Sequence, residues 1–163
     1  AAMNPSPCGH VEGQARRSTP DQILRYLGRL SGPFLDRFDL TVDIPLLPPG
    51  TLSRLPPRGE SSAEVARRVN QTRTRQLARC GKLNAHLDSR EIEQHCALPL
   101  ADAEFLEQAI QKLGLSLRAW HKILRVARTL ADMADSPLIE RVHLAEALHY
   151  RAMDRLLQRL QAL

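Results

Sequence analysis

The chain has 163 residues, of which 43% are hydrophobic and 25% charged, and its formal net charge is +5. These values are ordinary for one globular domain or two small ones, and no apolar run approaches the ~20 residues that span a membrane. Three widely spaced cysteines (Cys8, Cys80 and Cys96) argue against a disulfide framework. With no signal-peptide pattern at the start, we expect a cytoplasmic protein. The positive charge permits a polyanionic partner without identifying one.

The first 60 residues predict one helix between extended segments. Residues 1–18 begin as the end of an apolar strand and continue as a polar loop. Thr19-Pro-Asp-Gln22 then offers an N-cap, a proline at the first helical position and a glutamine three residues after the cap. Asp39 to Ile44 alternates apolar and polar side chains, which predicts a strand. Residues 45–60 contain five prolines and no periodicity, so they are interpreted as a linker.

The rest of the chain predicts five amphipathic helices joined by short connections. Asp88 opens a capping box, Gly114 stands where a left-handed C-cap is common, and Pro137 prevents a helix from continuing. The predicted helices run from Ser61 or Ser62 to about Arg79, from Asp88 to near Cys96, from about Leu100 to Leu113, from Ser116 to about Ala134, and onward from about Arg141. Such a pattern is typical of a helical bundle.

Three segments of this sequence resemble one known family. They are Ala1-Ala-Met-Asn-Pro5, Leu30-Ser-Gly-Pro-Phe-Leu-Asp-Arg-Phe-Asp-Leu40 and Leu115-Ser-Leu-Arg-Ala-Trp-His-Lys-Ile-Leu-Arg125. Together they resemble the C-terminal half of AAA+ ATPases of the magnesium-chelatase-like family, in its ComM (YifB) branch. The fold implied is mainly α. Residues 1–44 would be the C-terminal remnant of an α/β core, poorly ordered alone, and 61–163 a helical lid after the linker at 45–60.

The resemblance implies a role for one residue in each segment. Asn4 would be sensor 1, whose amide can contact a phosphate and the attacking water together. Arg37 would be an arginine finger that enters the neighbouring subunit's site, where a planar guanidinium can stabilise the charge of phosphoryl transfer. Arg118 would be sensor 2, which contacts the terminal phosphates of ATP. The alternatives are a turn at Asn4-Pro5, a surface ion pair at Arg37, and a solvated basic face that suffices for Arg125 and Arg128.

The family also implies cofactors and partners. ATP and Mg²⁺ are expected, with the Mg²⁺ ligands upstream, because no Gly-x-x-x-x-Gly-Lys-Ser/Thr loop and no apolar strand ending in Asp-Glu occur here. We therefore expect ATP hydrolysis by the full-length protein and none by this chain alone. The resemblance further implies a homo-oligomeric, hexameric ring that acts on DNA, driving branch migration in recombination and natural transformation.

Two other interpretations stay open. A magnesium-chelatase motor subunit would use ATP to insert Mg²⁺ into a porphyrin, although the run Leu83-Asn-Ala-His-Leu87 favours the ComM branch. A plain helical module would bind nucleic acid without ATP through six cations of its first long helix (Arg67, Arg68, Arg73, Arg75, Arg79 and Lys82). A solvated helix face explains these cations equally well. Structural zinc is not expected, since Cys8 and His10 are too few ligands for a closed site.

Overall fold

The computed structural model describes residues 1–4, 6–9, 18–31, 34, 37–45, 47, 50–51 and 59–151. The chain divides into two compact units: Ala1–Thr41 with Arg151–Leu163, and Val42–Tyr150. Leu156, Leu160 and Leu163, which the sequence assigns to the last helix, lie outside the described residues. The mainly α fold class is confirmed, since helices dominate the described part of the chain.

The first unit contains helix α1, Pro20–Leu27, which begins at the predicted cap. The amide of Gln22 donates to Thr19 Oγ1 over 3.3 Å, and the amide of Thr19 donates to Gln22 Oε1 over 3.0 Å. Ile23 and Leu27, one turn apart, are buried. The helix ends at Leu27, where Gly28 takes the C-cap position and donates its amide to the Leu24 carbonyl.

The strand predicted for 39–44 is wrong. Within this segment only Thr41 makes a β pairing, an isolated parallel bridge with Arg151. Leu40, Val42 and Ile44, whose spacing suggested the strand, are exposed. A strand requires a neighbour along its length to satisfy its backbone groups, and alternation in the sequence does not supply one.

The described residues of the second unit form five helices and one short turn. In chain order they are α2 (Ser62–Cys80), a 3₁₀ turn (Asn84–His86), α3 (Ser89–His95), α4 (Leu100–Lys112), α5 (Leu117–Met133) and α6 (Arg141–His149). Helix α5 contacts each of the other elements of this unit, so it is the central helix.

The sequence locates these helix ends well because caps are local. Ser61 and Asp88 form capping boxes with Glu64 and Glu91. Gly114 has a φ of 57°, a left-handed conformation that a side chain disfavours, and it follows the last residue of α4 and its cap. The amide of Leu115 then donates to the Ile110 carbonyl over 3.0 Å, which satisfies a carbonyl at the helix end.

The hydrophobic core surrounds α5. Ala119, Ala127 and Ala131 of α5 are buried, and their small side chains let neighbouring helices approach closely. The larger members of the core come from the surrounding elements and from α5 itself: Leu87, Ile92, Leu106, Ile110, Ile123, Leu124, Ile139 and Leu144. Each such side chain, when fully buried, contributes about 1.5–3 kcal/mol of transfer free energy.

Helix α2 packs on this core through its C-terminal half only. Thr72 and Gln76 are buried, whereas every residue from Ser62 to Gln71 is exposed, Val65 and Val69 included. The amphipathic helix predicted here therefore contacts the bundle only from Thr72 onward. Within the described ranges, none of the helices has the length and apolarity required of a membrane span.

Candidate functional site

Arg37 lies in a short turn of the first unit. The amide of Phe34 donates to the Ser31 carbonyl over 3.0 Å, and that of Arg37 donates to the Phe34 carbonyl over 3.1 Å. The rings of Phe34 and Phe38 meet edge to face with centroids 5.2 Å apart, on either side of Arg37 in sequence. The Arg37 side chain is exposed and has no hydrogen bond or ion pair with another described residue. Its guanidinium is thus accessible to an external anion.

Asn4 belongs to the same unit and is also exposed. Its side chain makes no hydrogen bond within the described ranges. The sensor-1 role of Asn4 and the arginine-finger role of Arg37 both remain predictions. Arg118 belongs to the second unit.

Arg118 is the second residue of α5, after the N-cap Ser116. It is exposed and pairs with no carboxylate in the described part of the chain, while Ala119 beside it is buried. The first turn of α5 contains no acidic residue. A cation here lies at the positive end of the helix dipole, which costs about 0.3–1 kcal/mol. This arrangement disfavours a structural role and suits an anionic ligand.

Arg125 and Arg128 are not a solvated basic face, and that alternative is wrong for both. Arg125 donates to the Leu87 carbonyl over 2.6 Å. Arg128 is only 4% exposed and donates to the carbonyls of Pro137 and Ser136 over 2.9 and 2.6 Å. Burial lowers the pKa of the Arg128 guanidinium, and the nearby Asp132 opposes that effect. Arg125 thus ties α5 to the end of the 3₁₀ turn, and Arg128 ties it to the loop that follows α5.

Asp132 lies at the centre of a buried polar network. Its Oδ1 accepts from Arg79 of α2 over 2.6 Å and lies 3.1 Å from Arg128, one turn earlier on α5. Its Oδ2 accepts from the Asn84 amide over 2.8 Å. The carboxylate, 5% exposed, thus joins α2, the 3₁₀ turn and α5. Sequence reasoning missed Asp132 and Asn84. The available signal was Arg128–Asp132, an opposite-charge pair at i,i+4 beside the apolar stripe of α5.

The cations of α2, together with Lys82 just after it, are mostly engaged within the molecule. Four of the six named from the sequence have carboxylate partners: Arg68 with Glu60, Arg75 with Asp135, Arg79 with Asp132, and Lys82 with Glu91. Arg67 and Arg73 are exposed and have no such partner among the described residues. The structure therefore leaves two cations of this helix readily available to phosphate groups, fewer than the sequence suggests.

Cys8 is half-buried, and its sulfur lies 3.4 Å from Ser6 Oγ. His10, its candidate co-ligand, is outside the described residues. Among the residues that the structure describes, no group of three or more His, Cys, Asp or Glu side chains could hold a metal ion.

Comparison with known families gives two matches along the chain. Residues 59–151 match the family "magnesium chelatase, subunit ChlI C-terminal", and residues 1–52 match "magnesium chelatase, subunit ChlI". The chain belongs to the magnesium-chelatase family.

Comparison with curated proteins narrows the class. The chain is 58% identical to competence protein ComM of Haemophilus influenzae over 160 residues, covering 98% of this chain and 31% of that protein. It is 60% identical to YifB of Escherichia coli over 163 residues, covering 100% of this chain and 32% of that protein. A Mycobacterium tuberculosis protein is 35% identical over 156 residues, covering 92% and 30%. These identities place the chain on the ComM/YifB branch, and it spans about a third of the length of these relatives.

Proposed function

We propose that this chain forms the C-terminal part of a ring-forming AAA+ ATPase that acts on DNA. In this proposal residues 1–44 complete the α/β core, residues 45–60 connect, and residues 61–163 form the lid. Membership of the magnesium-chelatase family supports the use of ATP and Mg²⁺. The observation that carries the proposal is Arg118, an exposed cation without a carboxylate partner in the first turn of the central helix.

Arg118 would contact the terminal phosphates of ATP. The residues present fit such a group, since the guanidinium and the N-terminus of α5 both favour negative charge at the same place. Within the described ranges no group of His, Cys, Asp or Glu side chains could hold a metal ion, so no residue of this chain is assigned to Mg²⁺. When bound, ATP supplies the phosphoryl group; Arg118 orients it and links lid position to the nucleotide state.

Arg37 and Asn4 would act on the same chemistry from the other unit. The exposed guanidinium of Arg37 would enter a neighbouring subunit's site and stabilise charge on the transferred phosphoryl group, an effect worth roughly 10³–10⁵ in rate in NTPases. Asn4 would hold the attacking water by its amide. The site would therefore be complete only between subunits of a homo-oligomer.

DNA is proposed as the macromolecular partner. The Haemophilus influenzae relative is named a competence protein, and it shares 58% of its residues with this chain over the aligned region. We therefore assign branch migration of recombining DNA as the work driven by ATP hydrolysis. Arg67 and Arg73 are the cations of α2 that remain available to its phosphates.

The proposal is tested by the ATPase rate of the full-length protein with and without branched DNA. Arg118→Ala and Arg37→Ala should each lower the DNA-stimulated rate by at least tenfold, because each removes charge that stabilises the transferred phosphoryl group. Mixing Arg37→Ala with a subunit whose own nucleotide site is inactive should restore part of the rate, since the two defects lie in different sites.

Arg90→Ala is the matched control. Arg90 is exposed and is the second residue of α3, as Arg118 is of α5, but it lies beside Asp88 and Glu91. The DNA-stimulated ATPase rate of Arg90→Ala should equal that of the wild type. An unimpaired Arg118→Ala variant would remove sensor 2 from this residue. Hydrolysis indifferent to DNA would instead favour a chelatase-like motor.

A further inference from the structure

The strongest unassigned feature is a hollow of about 240 Å³ between α2, the end of α5 and the loop that follows α5. Arg75 and Arg79 come from α2, Arg128 and Asp132 from α5, and Asp135 from the loop. All of them belong to the second unit. Three cations against two carboxylates leave one positive charge in excess in this hollow.

The hydrogen-bond pattern of the hollow also leaves donors in excess. Arg79 Nη1 and Arg128 Nε are buried and have no acceptor among the described residues. Arg128 as a whole is 4% exposed, and its Nη2 already shares Asp132 Oδ1 with Arg79. A buried cation with an unsatisfied donor is costly unless an anion or another acceptor is close. Charge and donor count therefore both point to an anion.

The mouth of the hollow is formed by a weaker pair. Arg75 Nε lies 3.0 Å from Asp135 Oδ1, and their side chains are 38% and 75% exposed. Such a pair contributes little to stability, so a ligand can displace Asp135 from Arg75 at small cost. Arg75 also donates to the Asp132 carbonyl over 2.7 Å, which holds its guanidinium beside the hollow when Asp135 leaves.

We propose that this hollow, lined by Arg75, Arg79 and Arg128, binds a phosphate oxyanion. Planar guanidinium groups match the tetrahedral oxygens of phosphate with paired hydrogen bonds, and the volume accommodates one such group. The phosphate belongs to a nucleotide, to a nucleic-acid backbone or to the free ion. The site is separate from Arg118 and does not depend on the proposed function.

The test is a titration of the 163-residue chain with inorganic phosphate at constant ionic strength, following the arginine Nε–Hε resonances by NMR. Saturable shifts of the resonances of Arg79 and Arg128 are expected, and chloride should not produce them. Arg75→Gln should weaken binding at least fivefold. Arg68→Gln should leave it unchanged, since Arg68 is an arginine of the same helix that is also paired with an exposed carboxylate, Glu60, but lies outside the hollow. Equal responses to phosphate and chloride, or an Arg75→Gln variant that binds normally, would overturn the proposal.

A second variant tests the proposal by gain of affinity. Asp135→Asn removes the competing carboxylate, and asparagine tolerates the φ of 59° found at this position. Phosphate should then bind about two- to fivefold more tightly, which is the range expected for the loss of an exposed ion pair. Unchanged or weaker binding would count against Asp135 as a competitor and against the site.

The source of the phosphate follows from the same titration with ATP and with a DNA oligonucleotide, in an Arg118→Ala background. That substitution removes the proposed nucleotide contact on α5, so the binding that is measured does not depend on whether Arg118 contacts ATP. The result for this site can then be separated from the result for the proposed function. Tighter binding of the oligonucleotide than of ATP at the Arg79 and Arg128 resonances, weakened by Arg75→Gln, assigns the site to a nucleic-acid backbone. The reverse order at the same resonances assigns it to a nucleotide. Binding that ignores Arg75→Gln in every arm would overturn the proposal.

Discussion

At the scale of single residues, Asp132 determines how α2 is held. It is a buried carboxylate with two guanidinium partners and one amide partner from three elements. Removing a buried charge from such a network costs more than the net gain of forming it, because the former partners lose their compensation. The main effect of Asp132 on stability is therefore that its loss would leave Arg79, Arg128 and Asn84 without their shared partner.

We expect Asp132→Ala to lower the free energy of unfolding of the second unit by about 3–5 kcal/mol, because the buried Arg128 and the half-buried Arg79 would be left without a carboxylate. Urea denaturation followed by fluorescence measures this effect. Trp120, the only tryptophan of the chain, lies half-buried on α5 and reports the second unit.

Asp135→Asn is the control for this prediction. It removes a carboxylate whose side chain is 75% exposed, so the loss should be at most about 1 kcal/mol. If the two variants lost similar amounts of unfolding free energy, the burial of Asp132 would not explain its contribution to stability.

At the scale of secondary structure, α5 begins with a cation at the wrong end of its dipole. Arg118→Ala should leave the free energy of unfolding unchanged or raise it, and Arg118→Glu should raise it by about 0.3–1 kcal/mol. Urea denaturation followed by Trp120 fluorescence measures both. Arg90→Ala provides the comparison, since the negative charges of Asp88 and Glu91 already compensate that cation in α3. A clear loss of stability in Arg118→Ala would indicate a structural role.

The same scale shows what the sequence could predict. The caps at Thr19, Ser61 and Asp88 were predicted because each rests on residues within one turn. The strand was predicted wrongly at 39–44, because strand pairing depends on residues distant in sequence. The network of Asp132 was missed for the same reason, since Arg79 lies 53 residues away. Of the candidate site, the family resemblance of the sequence identified Arg118, but its lack of a carboxylate partner among the described residues required the structure.

At the scale of the whole chain, the second unit contains a core of its own. Its buried apolar side chains come from Leu87, from α3 to α6 and from the segments between those helices. We expect residues 59–150 alone to unfold cooperatively, with a Trp120 fluorescence midpoint within about 4 °C of that of the 163-residue chain, which corresponds to about 1 kcal/mol. Thermal unfolding of the two proteins measures this. Loss of the cooperative transition in the shorter protein would contradict the expectation that the second unit folds on its own.

The one-sided packing of α2 has a consequence for how this helix forms. An isolated segment as short as Ser62–Gln71 is marginal in water, because nucleating the first turn is unfavourable. The C-terminal turns are held in place, which provides that nucleus: Thr72 is buried, Gln76 Oε1 accepts from the Asn84 backbone amide of the 3₁₀ turn, and Arg79 pairs with Asp132 of α5. The remaining turns then add one hydrogen bond at a time toward the N-terminus. We therefore expect helix growth to run opposite to the direction of synthesis, with the capping box at Ser61 closing last.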